Sequence, residues 1–189
     1  MLTLAKLGVP GISDLYESRM RQDFPPSELK YLSSILAMVA RDEYDVICAY
    51  EGEEPVAYAL MYRPKNDRAV LLDYLAVYPQ HRGRGVGTAM LAQLRDYYQE
   101  RADVMMIECE RPKSAPDETE ARKRIRFYTQ AGAELTDVRI WLFDVEYSIL
   151  VLSCRGKTPK CDWAQQMLRF YRQMLPASLY ESKVRLIRG

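Results

Sequence analysis

The sequence holds a single histidine, His81, and four cysteines (Cys48, Cys109, Cys154 and Cys161), none of them in a C-x-x-C pair. Metal sites need clustered His, Cys or carboxylate ligands, so no structural or catalytic metal is expected. The cysteines read instead as reduced, mostly buried thiols. Charge of neither sign prevails: 27 Lys and Arg against 26 Asp and Glu leave a formal net charge of +1. That balance gives no electrostatic reason to expect a nucleic-acid or membrane partner. Long apolar runs are lacking too. The amino-terminal run is broken by Lys6 and Pro10, too early for a signal-peptide core, and the stretches around Ile35 to Ala40 and Ile149 to Leu152 fall short of a membrane span. The expected location is the cytoplasm. Internal repeats and low-complexity linkers are also missing.

What is present describes one α/β domain. At 189 residues, 48% hydrophobic and 28% charged, the chain has enough material for one core and a short appendage. A short strand is expected near Thr3 to Leu7, then a helix capped by Ser13 or Asp14, then a second helix opened by the Pro25-Pro26-Ser27 turn. Asp45 to Tyr50 and Pro55 to Tyr62 read as strands joined by a hairpin loop, and Ala69 to Tyr78 as a third strand stopped by Pro79. Val86, Met90, Leu91, Leu94 and Tyr98 mark an amphipathic helix. Val104 to Glu110 reads as a strand. Asp117 to Glu120 has the spacing of a capping box for the helix carrying Ala121, Ile125, Tyr128 and Ala131, which Gly132 ends. Two long strands, about Leu135 to Phe143 and Tyr147 to Cys154, follow. The domain is taken as residues 1–155, and 156–189 as an extension packed on it, with a helix from Asp162 whose apolar face includes Trp163, Met167, Phe170, Tyr171 and Met174.

Between the third strand and the amphipathic helix lies Arg82-Gly83-Arg84-Gly85-Val86-Gly87. A strand-to-helix junction leaves unpaired backbone N–H groups at the helix start, the helix dipole adds positive potential, and glycines let the backbone approach a ligand. With two arginines added, this is an anion site suited to a phosphate or pyrophosphate. The spacing matches neither a dinucleotide fingerprint nor a P-loop, which needs G-K-[ST].

The remaining pattern, R-x-x-G-x-G at Arg82, Gly85 and Gly87, resembles the signature of the GNAT superfamily of acyl-CoA-dependent N-acetyltransferases. Leu75 to Gly87 is similar to its L-x-V-x-P-x-x-R-G-x-G-I-G block, and Phe127 to Gly132 to its later L-Y-x-x-x-G block. The resemblance runs from about Asp45 to Cys154. It implies a mixed, mostly antiparallel central sheet splayed between two strands, with helices on both faces. It further implies acetyl-CoA as co-substrate. Main-chain groups at Leu75, Ala76 and Val77 would meet the pantetheine, and the segment Arg82, Gly83, Arg84, Gly85, Val86, Gly87 and Thr88 the pyrophosphate.

By the same resemblance Tyr128 would lie near the cofactor sulfur and act as the acid. Its phenol, with an ordinary pKa of about 10, stays protonated at neutral pH. For the base, Ile107-Glu108-Cys109-Glu110 resembles the L-E-V segment of bacterial ribosomal-protein amino-terminal acetyltransferases, where the glutamate is the base. Glu110 shares the strand face of Glu108, and Asp73 is a third candidate. His81 reads as a loop residue beside the phosphates.

The pattern is broken on the acceptor side. Ala121 stands where many relatives carry asparagine, the connection from Glu108 to Tyr128 is long, and Ala133 follows Gly132. The acceptor is therefore left as a small-molecule or peptide amine. Two further readings stay open: a non-catalytic acyl-CoA-binding or regulatory module, and a site for another phosphorylated nucleotide. The last helix and Tyr180 to Ile187 have three uses open to them: covering the core, shaping the acceptor pocket, or a homodimer contact.

Overall fold

A computed structural model describes residues 2–187. After strand β1 (Leu2–Lys6), helix α1 (Val9–Leu15) begins earlier than the sequence suggests, with Pro10 in its first turn. Proline is tolerated there because its missing N–H would have had no helical partner. Ser13 does not cap; its hydroxyl donates to the Val9 carbonyl one turn back, at 3.1 Å. The helix passes through a π-helical turn (Tyr16–Met20) into α2 (Arg21–Asp23).

The second expected helix also starts elsewhere. α3 spans Leu32–Ala40, and the proline pair leads into non-helical chain. The cause is Tyr74: its hydroxyl accepts from Lys30 N–H (3.0 Å) and donates to the Glu28 carbonyl (2.7 Å). Those backbone groups are thereby taken from any helix spanning 28 to 30.

The chain divides into two compact units, one up to Leu94 and one from Arg95 onward. In the first, β2 (Tyr44–Glu51) and β3 (Glu54–Tyr62) form a hairpin turned at Gly52, and β4 (Ala69–Val77) follows. The strands run β1-β2-β3-β4, antiparallel throughout. Leu60 pairs with Tyr74 but Met61 with Leu72, so Asp73 is the extra residue of a β-bulge in β4. Helix α4 (Val86–Tyr98) buries all five residues of its expected apolar stripe.

In the second unit, β5 (Val104–Glu110) precedes α5 (Glu118–Gln130), β6 (Glu134–Leu142) and β7 (Val145–Ser153). Helix α6 (Trp163–Met174), α7 (Ala177–Lys183) and β8 (Val184–Ile187) complete it. The strand order is β5-β7-β6-β8, again antiparallel. The expected caps are present: Asp117 accepts from Glu120 N–H and Asp162 from Gln165 N–H, both at 3.0 Å. The segment after 155 contributes a strand as well as helices, since β8 pairs with β6 from Leu142↔Val184 to Arg139↔Ile187. Met167 and Phe170 of α6 are wholly buried, each contributing about 1.5–3 kcal/mol by the usual scale.

The eight mostly antiparallel strands with flanking helices make the expected α/β fold. Among the described residues no helix is long and apolar enough to cross a membrane. Nor, among them, is any group of three or more His, Cys, Asp or Glu placed to hold a metal ion. Cys48, Cys109 and Cys154 are buried as expected, whereas Cys161 is exposed.

Candidate active site

The glycine-rich loop is built as an anion cradle. Pro79–His81 forms a 3-10 turn after β4, Arg82 is extended, and Gly83 and Gly85 take φ of +74° and +78°. These are left-handed conformations that cost an ordinary L-residue roughly 1–2 kcal/mol. The first backbone bond of α4 is Ala89 N–H to the Gly85 carbonyl, at 3.0 Å. Val86, Gly87 and Thr88 therefore point N–H groups out of the helix start, where the dipole is positive. Val86 itself is buried and anchors the turn. The geometry fits a pyrophosphate.

Both loop arginines are engaged by the protein. Arg82 Nε donates to the Val77 carbonyl at 3.0 Å, and its Nη2 lies 3.4 Å from Asp23 Oδ1. Asp23 is also held by Arg19 (2.8 Å) and the Tyr58 hydroxyl (2.9 Å). Arg84 Nη1 lies 3.1 Å from His81 Nδ1, and its Nη2 3.7 Å from Glu51. His81 is buried, with Nε2 2.9 Å from Glu54 Oε1. No motif signals Asp23 or Glu54, which reach the loop from distant positions. His81 is a buried link beneath the loop.

Along β4, Leu75, Ala76 and Val77 pair with Ala59, Tyr58 and Ala57 of β3. Ala76 is buried while Leu75 and Val77 are half-buried. Asp73, aimed by the bulge, accepts from Lys30 Nζ at 2.8 Å and from the Tyr44 hydroxyl. Its carboxylate is thus already paired with a cation.

In the second unit the remaining candidates gather on β5. Successive strand residues face opposite sides, so Glu108 and Cys109 part company. On the Cys109 side lies α5, which brings Tyr128 and Arg124. Tyr128 is buried, its ring edge-on to Phe127 with centroids 4.9 Å apart. Burial above all, then neighbouring Cys109, raises its phenol well above the ordinary value, against the opposing pull of Arg124. No hydrogen-bond partner for its hydroxyl is found among the described residues. The Cys109 thiol is pushed up to about 12, chiefly by burial. It is therefore a poor nucleophile at neutral pH.

On the other side, Glu108 is half-buried and accepts a hydrogen bond from the Tyr171 hydroxyl of α6. Glu110 lies at the strand end, 3.8 Å from Arg124 Nη1. Tyr171 was legible in the sequence only as one of several apolar-face residues; no signal linked it to Glu108. The connection after β5 is tied down by Glu146 of β7, which accepts from Arg111 (2.9 Å) and Ser114 (2.5 Å).

A comparison with curated proteins finds no match. Among solved structures, the chain is similar to the ribosomal-protein-S18-alanine N-acetyltransferase of Escherichia coli. That likeness has 18% identity and a TM-score of 0.61, covering 85% of this chain and 99% of that one. A GNAT-family protein from Bacteroides thetaiotaomicron is 17% identical, with a TM-score of 0.73 over 89% of this chain and 96% of that one. The spermidine N-acetyltransferase of Vibrio cholerae, solved with CoA and spermine, is 10% identical with a TM-score of 0.62, over 80% and 95%. At such identities these likenesses speak for the fold. The sequence model of the acetyltransferase (GNAT) family matches residues 10–133, a span that takes in the anion cradle, β5 and Tyr128. The chain belongs to the GNAT acetyltransferase family.

Proposed function

We propose that this chain is an N-acyltransferase that moves an acetyl group from acetyl-CoA to a primary amine by direct attack. The observation that carries the reading is the anion cradle at the start of α4. Two left-handed glycines there turn three backbone N–H groups outward. In this role Gly83 to Thr88 hold the pyrophosphate, and main-chain groups of Leu75, Ala76 and Val77 meet the pantetheine. Acetyl-CoA supplies the activated acyl thioester. Anchoring remote phosphates positions that thioester without any contact to the reacting bond.

The amine must lose a proton to attack. A lysine-like amine with a pKa of about 10.4 costs on the order of 4–5 kcal/mol to deprotonate at pH 7, an α-amine only about 1–1.5. Glu108 is the base we favour. Asp73, the other candidate, is already engaged by Lys30 and the Tyr44 hydroxyl. Tyr128 is the acid for the departing sulfur: burial keeps its proton on, and its hydroxyl has no competing acceptor among the described residues. A buried, protonated Cys109 favours direct transfer over an acyl-cysteine route. The amine acceptor is a small molecule or a peptide.

The test is mass spectrometry of acetyl-CoA reactions with a panel of polyamines, amino acids and peptides, with calorimetry for CoA. Transfer should fall by about 10²-fold or more in Glu108→Gln and in Tyr128→Phe, the usual scale for acid–base groups, with CoA affinity kept. Unchanged rates in both variants would overturn the assigned roles. CoA binding without turnover on any amine would favour a non-catalytic acyl-CoA-binding module instead.

A further inference from the structure

We infer that Tyr171, carried by the segment after residue 155, is a positioning residue for Glu108, so that this extension is a working part of the acceptor side. The inference rests on reading Glu108 as the base. Helix α6 is set by its Asp162 cap and by Met167 and Phe170, both wholly buried. One residue on, Tyr171 is 3% exposed, and its hydroxyl donates to Glu108 Oε1.

A glutamate side chain on a strand samples several rotamers, and a base works only when aimed. A tyrosine has two side-chain torsions, here locked by packing, so its hydroxyl is a rigid post against which the carboxylate is held. On β7 the residue opposite Glu108 is Ile149, which offers no polar side chain. The titratable groups around it include Cys109 and Glu110 on β5, Arg124 on α5, Tyr147 opposite Glu110 on β7, and Tyr171 on α6. Arg124 reaches Glu110 at 3.8 Å, and Tyr171 donates to Glu108 from α6. One donated hydrogen bond uses one of about four lone-pair sites on a carboxylate. By the general rule a donated hydrogen bond of this kind favours the ionised carboxylate.

The family match ends at residue 133, so the motifs that identify the chain say nothing about Tyr171. The arrangement couples the segment after residue 155 to the proposed base.

The experiment is the pH profile of kcat/KM with a saturable amine for the full chain and for Tyr171→Phe, Glu108→Gln and Phe170→Leu. Tyr171→Phe should move the acid limb upward, since the carboxylate loses a donor that favours its charged form. It should lower kcat about tenfold and leave KM for acetyl-CoA within about twofold. Phe170→Leu, a packing change on the same helix, should lower the melting temperature without moving the limb. If Glu108→Gln abolishes the limb while Tyr171→Phe leaves it in place, the inference is overturned and the base assignment stands. If Glu108→Gln leaves both rate and limb intact, the base assignment fails and takes the inference with it.

Discussion

Arg84 donates through Nη1 to Nδ1 of His81 across 3.1 Å, and that bond decides which imidazole nitrogen carries the proton. An arginine cannot accept, so Nδ1 must be the lone-pair nitrogen and Nε2–H the donor to Glu54 at 2.9 Å. The chain Arg84, His81, Glu54 thus runs from the rim of the anion cradle to the start of β3, with a buried ring as its middle link.

Removing that link should loosen the cradle. His81→Ala is expected to weaken CoA binding about tenfold, roughly 1.4 kcal/mol, as read by calorimetry. An unchanged affinity would mean that the Arg82 tether to Val77 and Asp23 holds the loop alone.

Gly85 sits at φ +78° with no atom within 4 Å of where a Cβ would stand. The penalty for a side chain is therefore conformational. Gly85→Ala should lower unfolding stability by about 1–2 kcal/mol in urea titrations. The same substitution in α4 at Ala-tolerant, helical φ would not show this loss.

Three thiols should resist labelling. Burial pushes Cys109 up to about 12 and Cys154 up to about 11, and it raises Cys48 as well. Thiolate, the reactive form, is scarce in such groups at pH 8. Native protein should take up one equivalent of a thiol reagent, at exposed Cys161, and the remainder only after denaturation. Rapid labelling of Cys109 in the native state would refute its burial.

Glu146 works against its own burial, yet hydrogen bonds from Ser114 and Arg111 and the charges of Arg111 and Arg139 bring its carboxyl below the ordinary value. A depressed acid stabilises the fold above its unfolded pKa, near 4.5, and that stability disappears as pH falls through the folded value. Glu146→Gln should therefore cost about 2–3 kcal/mol at pH 7, somewhat under the scale for fully buried pairs because Arg111 is partly solvated. The gap between wild type and variant should narrow as the pH is taken below 4.5. A gap that widened on acidification would contradict this assignment.

The β6–β7 turn holds Phe143 at φ +46° and Asp144 at +69°. A two-residue turn of this kind prefers Asn-Gly or Asp-Gly, and a bulky aromatic pays a steric penalty there. Phe143→Asn should raise stability by about 1 kcal/mol, visible in thermal melts.

The extent to which this was readable in the sequence follows the range of the forces involved. Helix α4, β5 and both Asp caps depend on neighbours within a few residues, and the apolar spacing and the cap spacing reveal them. The cradle is equally local, because glycines and a strand-to-helix junction are consecutive in the chain. The starts of α1 and α3 differ from those the local capping and proline signals imply. For α3 the deciding group, Tyr74, lies 44 residues from Lys30. Asp23 on Arg82 and Tyr171 on Glu108 are separated by 59 and 63 residues, and no periodicity carries such pairings. The bulge that aims Asp73 is a property of register between strands, which a single strand's composition does not encode.

The division of β5 into two faces has a kinetic consequence. With Tyr128 against the Cys109 side and Glu108 on the other, the proposed acid and base work from opposite sides of one strand. Direct transfer between them then requires thioester and amine to be bound at the same time, with no acyl-enzyme resting between two half-reactions.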